Sequence, residues 1–196
     1  MKRILITLLL ILGLLGCIKP PDIPKEPHIE FKEIFKTSSN DSLNNRYRIV
    51  FYFRDGDGDI GIKRNEQGNK PFDLGTDPDF NPYYRNLWVV MQVKRNNEYK
   101  DVRFNLPGSP DINFFGLNQT IEPPMVDALE QKRAIEGHIN FDFEIRISDV
   151  NFFNPNFAAN RDSVRFKLTL VDRAFNKSNE IFTDPVLVIT PRANGF

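Results

Sequence analysis

The sequence predicts an all-β fold, an antiparallel sandwich of about seven strands. Three observations predict it. Apolar residues recur at every second position in seven separate stretches, the pattern of strands with one buried face. Those stretches alternate with polar residues, whereas the strands of a parallel α/β sheet would be continuously apolar. The chain is rich in Phe (18), with 14 Pro and 11 Gly to set turns between strands. Seven one-sided strands bury their apolar rows by facing one another in two sheets about 10 Å apart. A β-barrel is the alternative closure of the same strands.

The first strand is expected at 28–35, where Ile29 and Phe31 alternate with Glu30 and Lys32 before the phase slips at Glu33-Ile34, a bulge signal. The second, 46–54, sets Tyr47, Ile49, Phe51 and Phe53 on one face. The third, 86–94, turns Leu87, Val89, Met91 and Val93 inward, and Arg95-Asn96-Asn97-Glu98 makes a hairpin into a fourth at 98–106. The fifth, 137–148, carries Ile139, Phe141, Phe143, Ile145 and Ile147 in one row. The sixth, 163–171, alternates Val164, Phe166, Leu168 and Leu170, and the seventh, 181–190, is broken near Pro185, as an edge strand tolerates. One short helical segment is expected at 125–136, with Met125, Ala128, Leu129 and Ile135 covering an open end of the sandwich. Two connections, 55–85 and 105–124, are long enough to be functional or mobile.

Ahead of the domain, Lys2 and Arg3 precede an apolar run from Ile4 to Leu15. That run is too short to span roughly 30 Å of hydrocarbon as a helix, and it reads as a secretory signal over 1–16. Leu14-Leu15-Gly16-Cys17 resembles the lipobox of bacterial type-II lipoproteins and contains the only cysteine of the chain. The resemblance implies cleavage before Cys17 and lipid on its sulfur, the most nucleophilic common side-chain atom near neutral pH. Several acyl chains make such an anchor durable, since each buried CH₂ adds about 0.8 kcal/mol. Ile18 after the cysteine, in place of aspartate, implies sorting to the outer membrane by the same resemblance. The stretch 19–26 lacks the paired acids of some surface-exported lipoproteins, and the periplasmic and surface faces both stay open. Residues 17–27, with four prolines, read as the lipidated cysteine and a semi-extended tether. Residues 28–196 read as one domain.

Charge excludes one class of partner. With 26 basic and 26 acidic residues, and Lys2 and Arg3 leaving with the signal, no nucleic-acid footprint remains. No nucleophile-elbow or zinc-ligand spacing is present, and no carboxylate pair stands out for glycoside hydrolysis. His28 and His138 read as solvent-facing or capping residues. The expectation is therefore a non-enzyme.

The sharpest local motif is Arg54-Asp55-Gly56-Asp57-Gly58-Asp59-Ile60-Gly61-Ile62. Calcium takes six to eight oxygen ligands, and carboxylates at alternate positions converge when glycines let the backbone curl. With Asp55 at position one, Asp57, Asp59, the Gly61 carbonyl and Glu66 follow EF-hand-like oxygen spacing. The glycine expected at position six is Ile60 and the loop follows a strand, so an EF-hand is excluded. A plain Asp-Gly turn is the alternative. In a sandwich the connection after the sixth strand lies at the same end. There Asp172 and Asn176 can add oxygens, Arg173 can neutralise the acids, or Asp172 can simply open a turn.

Together, the lipobox, the strand running into Phe53-Arg54-Asp55-Gly56-Asp57-Gly58-Asp59-Ile60-Gly61 and the late Val171-Asp172-Arg173-Ala174-Phe175-Asn176-Lys177-Ser178 resemble the uncharacterised immunoglobulin-like envelope lipoproteins of Bacteroidota-type bacteria. The resemblance implies an immunoglobulin-like sandwich in the cell envelope and assigns no catalytic residue. A glycan or peptide ligand is the expected partner, held by aromatics of the long loops: Phe72, Phe80, Tyr83 and Tyr84, with Asn113, Phe114, Phe115 and Asn118. For each aromatic, core filling is the competing role. An accessory subunit of an envelope protein complex is the alternative function.

Overall fold

The structure, a computed structural model, describes residues 23–37, 44–73, 75–76, 79–102, 120–122, 133–146 and 162–188. Cys17, the expected loop residues Asn113, Phe114, Phe115 and Asn118, and most of the expected helical segment lie outside these residues. The regular elements of the described chain are strands apart from one 3-10 turn at Pro82–Tyr84: β1 (His28–Lys36), β2 (Asn44–Asp55), β3 (Gly75–Thr76), β4 (Asp79–Phe80), β5 (Leu87–Arg95), β6 (Glu98–Asp101), β7 (Ile135–Arg146), β8 (Asp162–Leu170), β9 (Ile181–Phe182) and β10 (Val186–Val188).

Two antiparallel sheets form the sandwich. One has the order β1-β2-β7, the other β10-β8-β5-β6 with β9 also pairing β8, and β3-β4 is a small separate hairpin. Relative to the constant-type immunoglobulin order, the fourth of the seven expected strands, β6, pairs with the third, β5, rather than the fifth. The inward rows are those the alternation predicts. Tyr47, Ile49, Phe51 and Phe53 of β2 and Phe141, Phe143 and Ile145 of β7 meet Leu87, Val89 and Met91 of β5 and Val164, Phe166, Leu168 and Leu170 of β8. Phe166 is the keystone of the two layers. Its ring lies edge-on to Phe143 at 4.7 Å and tilts against Tyr47 at 6.4 Å.

Local chemistry sets the irregularities. The β1–β2 register shifts between Phe31 and Glu33, the bulge signalled by the phase slip. Asn96 and Asn97 both have positive φ (50° and 70°), the two-residue hairpin conformation that asparagine tolerates. The last strand is split into β9 and β10 around Pro185, and Thr183 fills the gap by accepting from the Phe166 N–H through Oγ1. One expectation is corrected. Ile135, assigned to a helical segment, begins β7 instead, because β2 extends to Asp55 and pairs with it there.

Candidate metal centre

Strand parity brings the acids together. The inward row of β2 continues from Phe53 to Asp55, and the inward row of β8 continues past Leu170 to Asp172. Each sheet therefore ends an apolar row on an aspartate at the same end of the sandwich. Both are buried, Asp55 at 0% exposure and Asp172 at 3%. Ile60, fully buried, pairs with Asp172 as an isolated bridge and ties the loop after β2 to the segment after β8. Arg173 N–H adds a second tie by donating to the Asp59 carbonyl at 3.3 Å.

The glycines between the aspartates are required by what lies behind them. A Cβ on Gly56 would overlap the carbonyl oxygens of Ile23 and Pro24, and one on Gly58 would overlap the carbonyl of Arg133. Gly58 also has φ +72°, open to glycine at little cost. The Asp-Gly-Asp-Gly-Asp strap is thus packed from behind by two other chain segments.

Carboxylate oxygens of Asp55, Asp59 and Asp172 lie within 4.8 Å of one another. Asp55 Oδ2 accepts from the Asp59 N–H at 2.8 Å, but Oδ1 of Asp55, of Asp57 and of Asp59 are buried with no hydrogen-bond partner. Buried polar atoms are normally satisfied, and an orphaned carboxylate oxygen is more costly than a neutral one. Burial first, and then the charges of Asp57 and Asp59, push the Asp55 carboxyl up to about 7. Burial and the charges of Asp172 and Asp57 push Asp59 up to about 6. Asp172 is raised as well, chiefly by burial, although Asn176 holds it down by donating to Oδ1 through its backbone N–H (2.7 Å) and to Oδ2 through Nδ2 (2.8 Å). A set of hard oxygens with no thiol or imidazole among the three suits calcium or a similar hard divalent ion.

The other expected ligands are placed differently. Glu66 is claimed by Arg173, whose Nη1 and Nη2 donate to its two oxygens, the latter at 2.8 Å, and the Lys63 N–H adds a third bond at 3.0 Å. The guanidinium holds the Glu66 carboxyl below its ordinary value. The Gly61 carbonyl faces the same arginine, accepting from Nη1 at 3.4 Å. Asn176 orients Asp172 through its amide nitrogens. Residue counting along the loop missed this division of labour. The parity of Asp55 and Asp172 was the signal that could have found the buried pair.

Beside the acids, Phe175 adopts φ +67° and packs against Tyr83 at a tilt of 49°, with ring centroids 4.5 Å apart. Phe72 is buried, 6.1 Å from Phe175 and beneath the Arg173 guanidinium. Arg85 lies over the Tyr84 ring, and the Phe80 side chain is outside the described set. His28 sits beside Glu30 and lies opposite Arg54 in the β1–β2 register, and His138 packs edge-on against Tyr52, its partner across β2 and β7. Among known proteins, no family model, no curated sequence and no solved structure matches this chain.

Proposed function

We propose that this protein is a lipid-anchored cell-envelope domain in which a calcium ion fastens the two sheets of a β-sandwich at the Asp55–Asp59–Asp172 end. The single observation that supports the ion is the set of three buried Oδ1 atoms without partners, one of them on a fully buried residue. Unneutralised, carboxylates this close repel one another, and a divalent cation supplies the missing partner to all of them at once. Asp55, Asp59 and Asp172 hold the ion and Asp57 contributes charge and an oxygen, while Asn176 orients Asp172. The anchor is lipid on Cys17, and the outer membrane is its proposed location.

The domain serves as a binding module for a glycan or peptide, with Phe175, Tyr83 and Trp88 beside the ion as its aromatic surface. The accessory-subunit reading draws on Phe72, which is packed inside rather than presented. The ion is the part to test first. In the full-length protein in detergent, calcium at about 100 times its Kd should raise stability by roughly 2.7 kcal/mol. Asp57→Asn with Asp59→Asn should abolish that gain in Tm. A wild-type Tm indifferent to millimolar calcium and to chelator would sink the proposal.

A further inference from the structure

The acidic strap has two sides, and the second one touches the lipid tether. On the inner side are the aspartates. On the outer side the Gly56 N–H donates to the Pro24 carbonyl at 2.9 Å, and Pro27 is buried where the chain turns into β1. The residue at 56 must be glycine for this contact, because a side chain would meet the backbone of Ile23 and Pro24, which no rotamer change relieves. Its φ is not in the left-handed region, so the loop itself would accept alanine. Gly56 is therefore set by the linker and the neighbouring aspartates by the interior, within one five-residue strap.

We infer that cation binding and linker docking are coupled: the ion selects the strap conformation that clasps residues 23–27, and the ion's departure releases them. This rests on the proposed calcium site. The physical link is short. Without a cation, repulsion among Asp55, Asp57, Asp59 and Asp172 drives the strap outward, and any outward movement at Asp55 or Asp57 presses Gly56 into the closely packed backbone of Ile23 and Pro24 and displaces the linker. Cation and linker thus favour the same conformer, and by linkage each strengthens the other's binding. The consequence is positional. Five residues lie between Ile23 and the proposed lipidated Cys17, and the six steps from one to the other span roughly 20 Å when extended. A clasped linker holds the acidic end of the sandwich next to the bilayer. A released one adds residues 23–27 to the tether and lets the domain reorient.

The test is cleavage of the Lys25–Glu26 bond in the full-length protein in detergent by a lysine-specific protease that needs no calcium, followed by mass spectrometry. In the wild type, calcium should slow this cleavage about tenfold relative to chelator. Gly56→Ala keeps every acid but loses the clasp, so it should be cut equally fast in both conditions and bind calcium several-fold more weakly. Pro24→Gly, which leaves the strap untouched and loosens the linker, should also weaken calcium binding. If calcium raises the wild-type Tm yet leaves Lys25–Glu26 cleavage unchanged, the clasp is overturned and the ion site stands. If both variants bind calcium as tightly as wild type, the coupling is likewise refuted. If the wild type shows no calcium response at all, the site itself has failed, and the clasp with it.

Discussion

Glu66 and the Asp55–Asp59–Asp172 cluster occupy the same end of the sandwich, yet among the described residues they are balanced in opposite ways. Glu66 has a cation from the chain itself: Arg173 grips both of its oxygens and holds its carboxyl below the ordinary value. Asp55 and Asp59, more deeply buried, have carboxyls pushed upward, and the Oδ1 of each, like that of Asp57 between them, is buried without a partner. Arg173 sits one residue from Asp172 and its charge eases Asp59 slightly, but its fork is spent on Glu66. Proximity of an arginine does not neutralise a cluster when the guanidinium's geometry commits it elsewhere. The difference teaches that acidic residues close in sequence can have separate fates, one closed by a salt bridge and one left with buried oxygens unpartnered.

The largest effect that breaks this contrast is expected from Arg173→Met. It strands Glu66 and removes the bond to the Gly61 carbonyl, for a loss of about 1–2 kcal/mol. That loss should be measurable as a drop in Tm of several degrees in both calcium and chelator. A loss confined to chelator would mean that the aspartates, and not Glu66, are the partner that matters to Arg173.

A pH series in chelator sharpens the same contrast. Asp55 and Asp59 bind their protons more tightly folded than unfolded, so the stability they contribute is complete below about pH 4 and is lost as pH rises through about 6 to 7. Glu66 works in the opposite sense, its contribution being present above its ordinary 4.5 and lost on acidification. The chelated protein should therefore lose Tm between pH 5 and 7.5, and saturating calcium should flatten or reverse that fall. A calcium-free Tm that rises steadily across this window would contradict the upward shifts.

The smallest effect is the most discriminating. Glu66→Gln should leave the calcium affinity within about twofold of wild type, because both oxygens serve Arg173. A tenfold loss by titration calorimetry would restore Glu66 to the ligand set that EF-hand-like counting suggests.

Much of the fold was legible because alternation reports burial directly. Tyr47, Ile49, Phe51 and Phe53 could face only one way, and so could Val164, Phe166, Leu168 and Leu170. The Asp-Gly-Asp-Gly-Asp strap was visible for the same local reason. Ile135 was misjudged because a short apolar residue beside polar ones fits either period, and only its pairing with Asp55 decides. The site was half legible. Asp55 and Asp172 obey the parity of their strands, but the loop count along one chain assigned Glu66, whose true neighbour, Arg173, is distant in sequence and close only after the sheets pack. The role of Gly56 was not legible at all, since it depends on Pro24 returning to the loop from outside the domain.

The most direct measurement is a crystal structure of the protein grown in millimolar calcium, with anomalous data collected to locate the ion. One anomalous peak is expected at 2.3–2.6 Å from carboxylate oxygens of Asp55, Asp59 and Asp172, with the Glu66–Arg173 pair intact beside it. Density for water alone among those carboxylates, or an ion bound to Glu66 with Arg173 displaced, would contradict it.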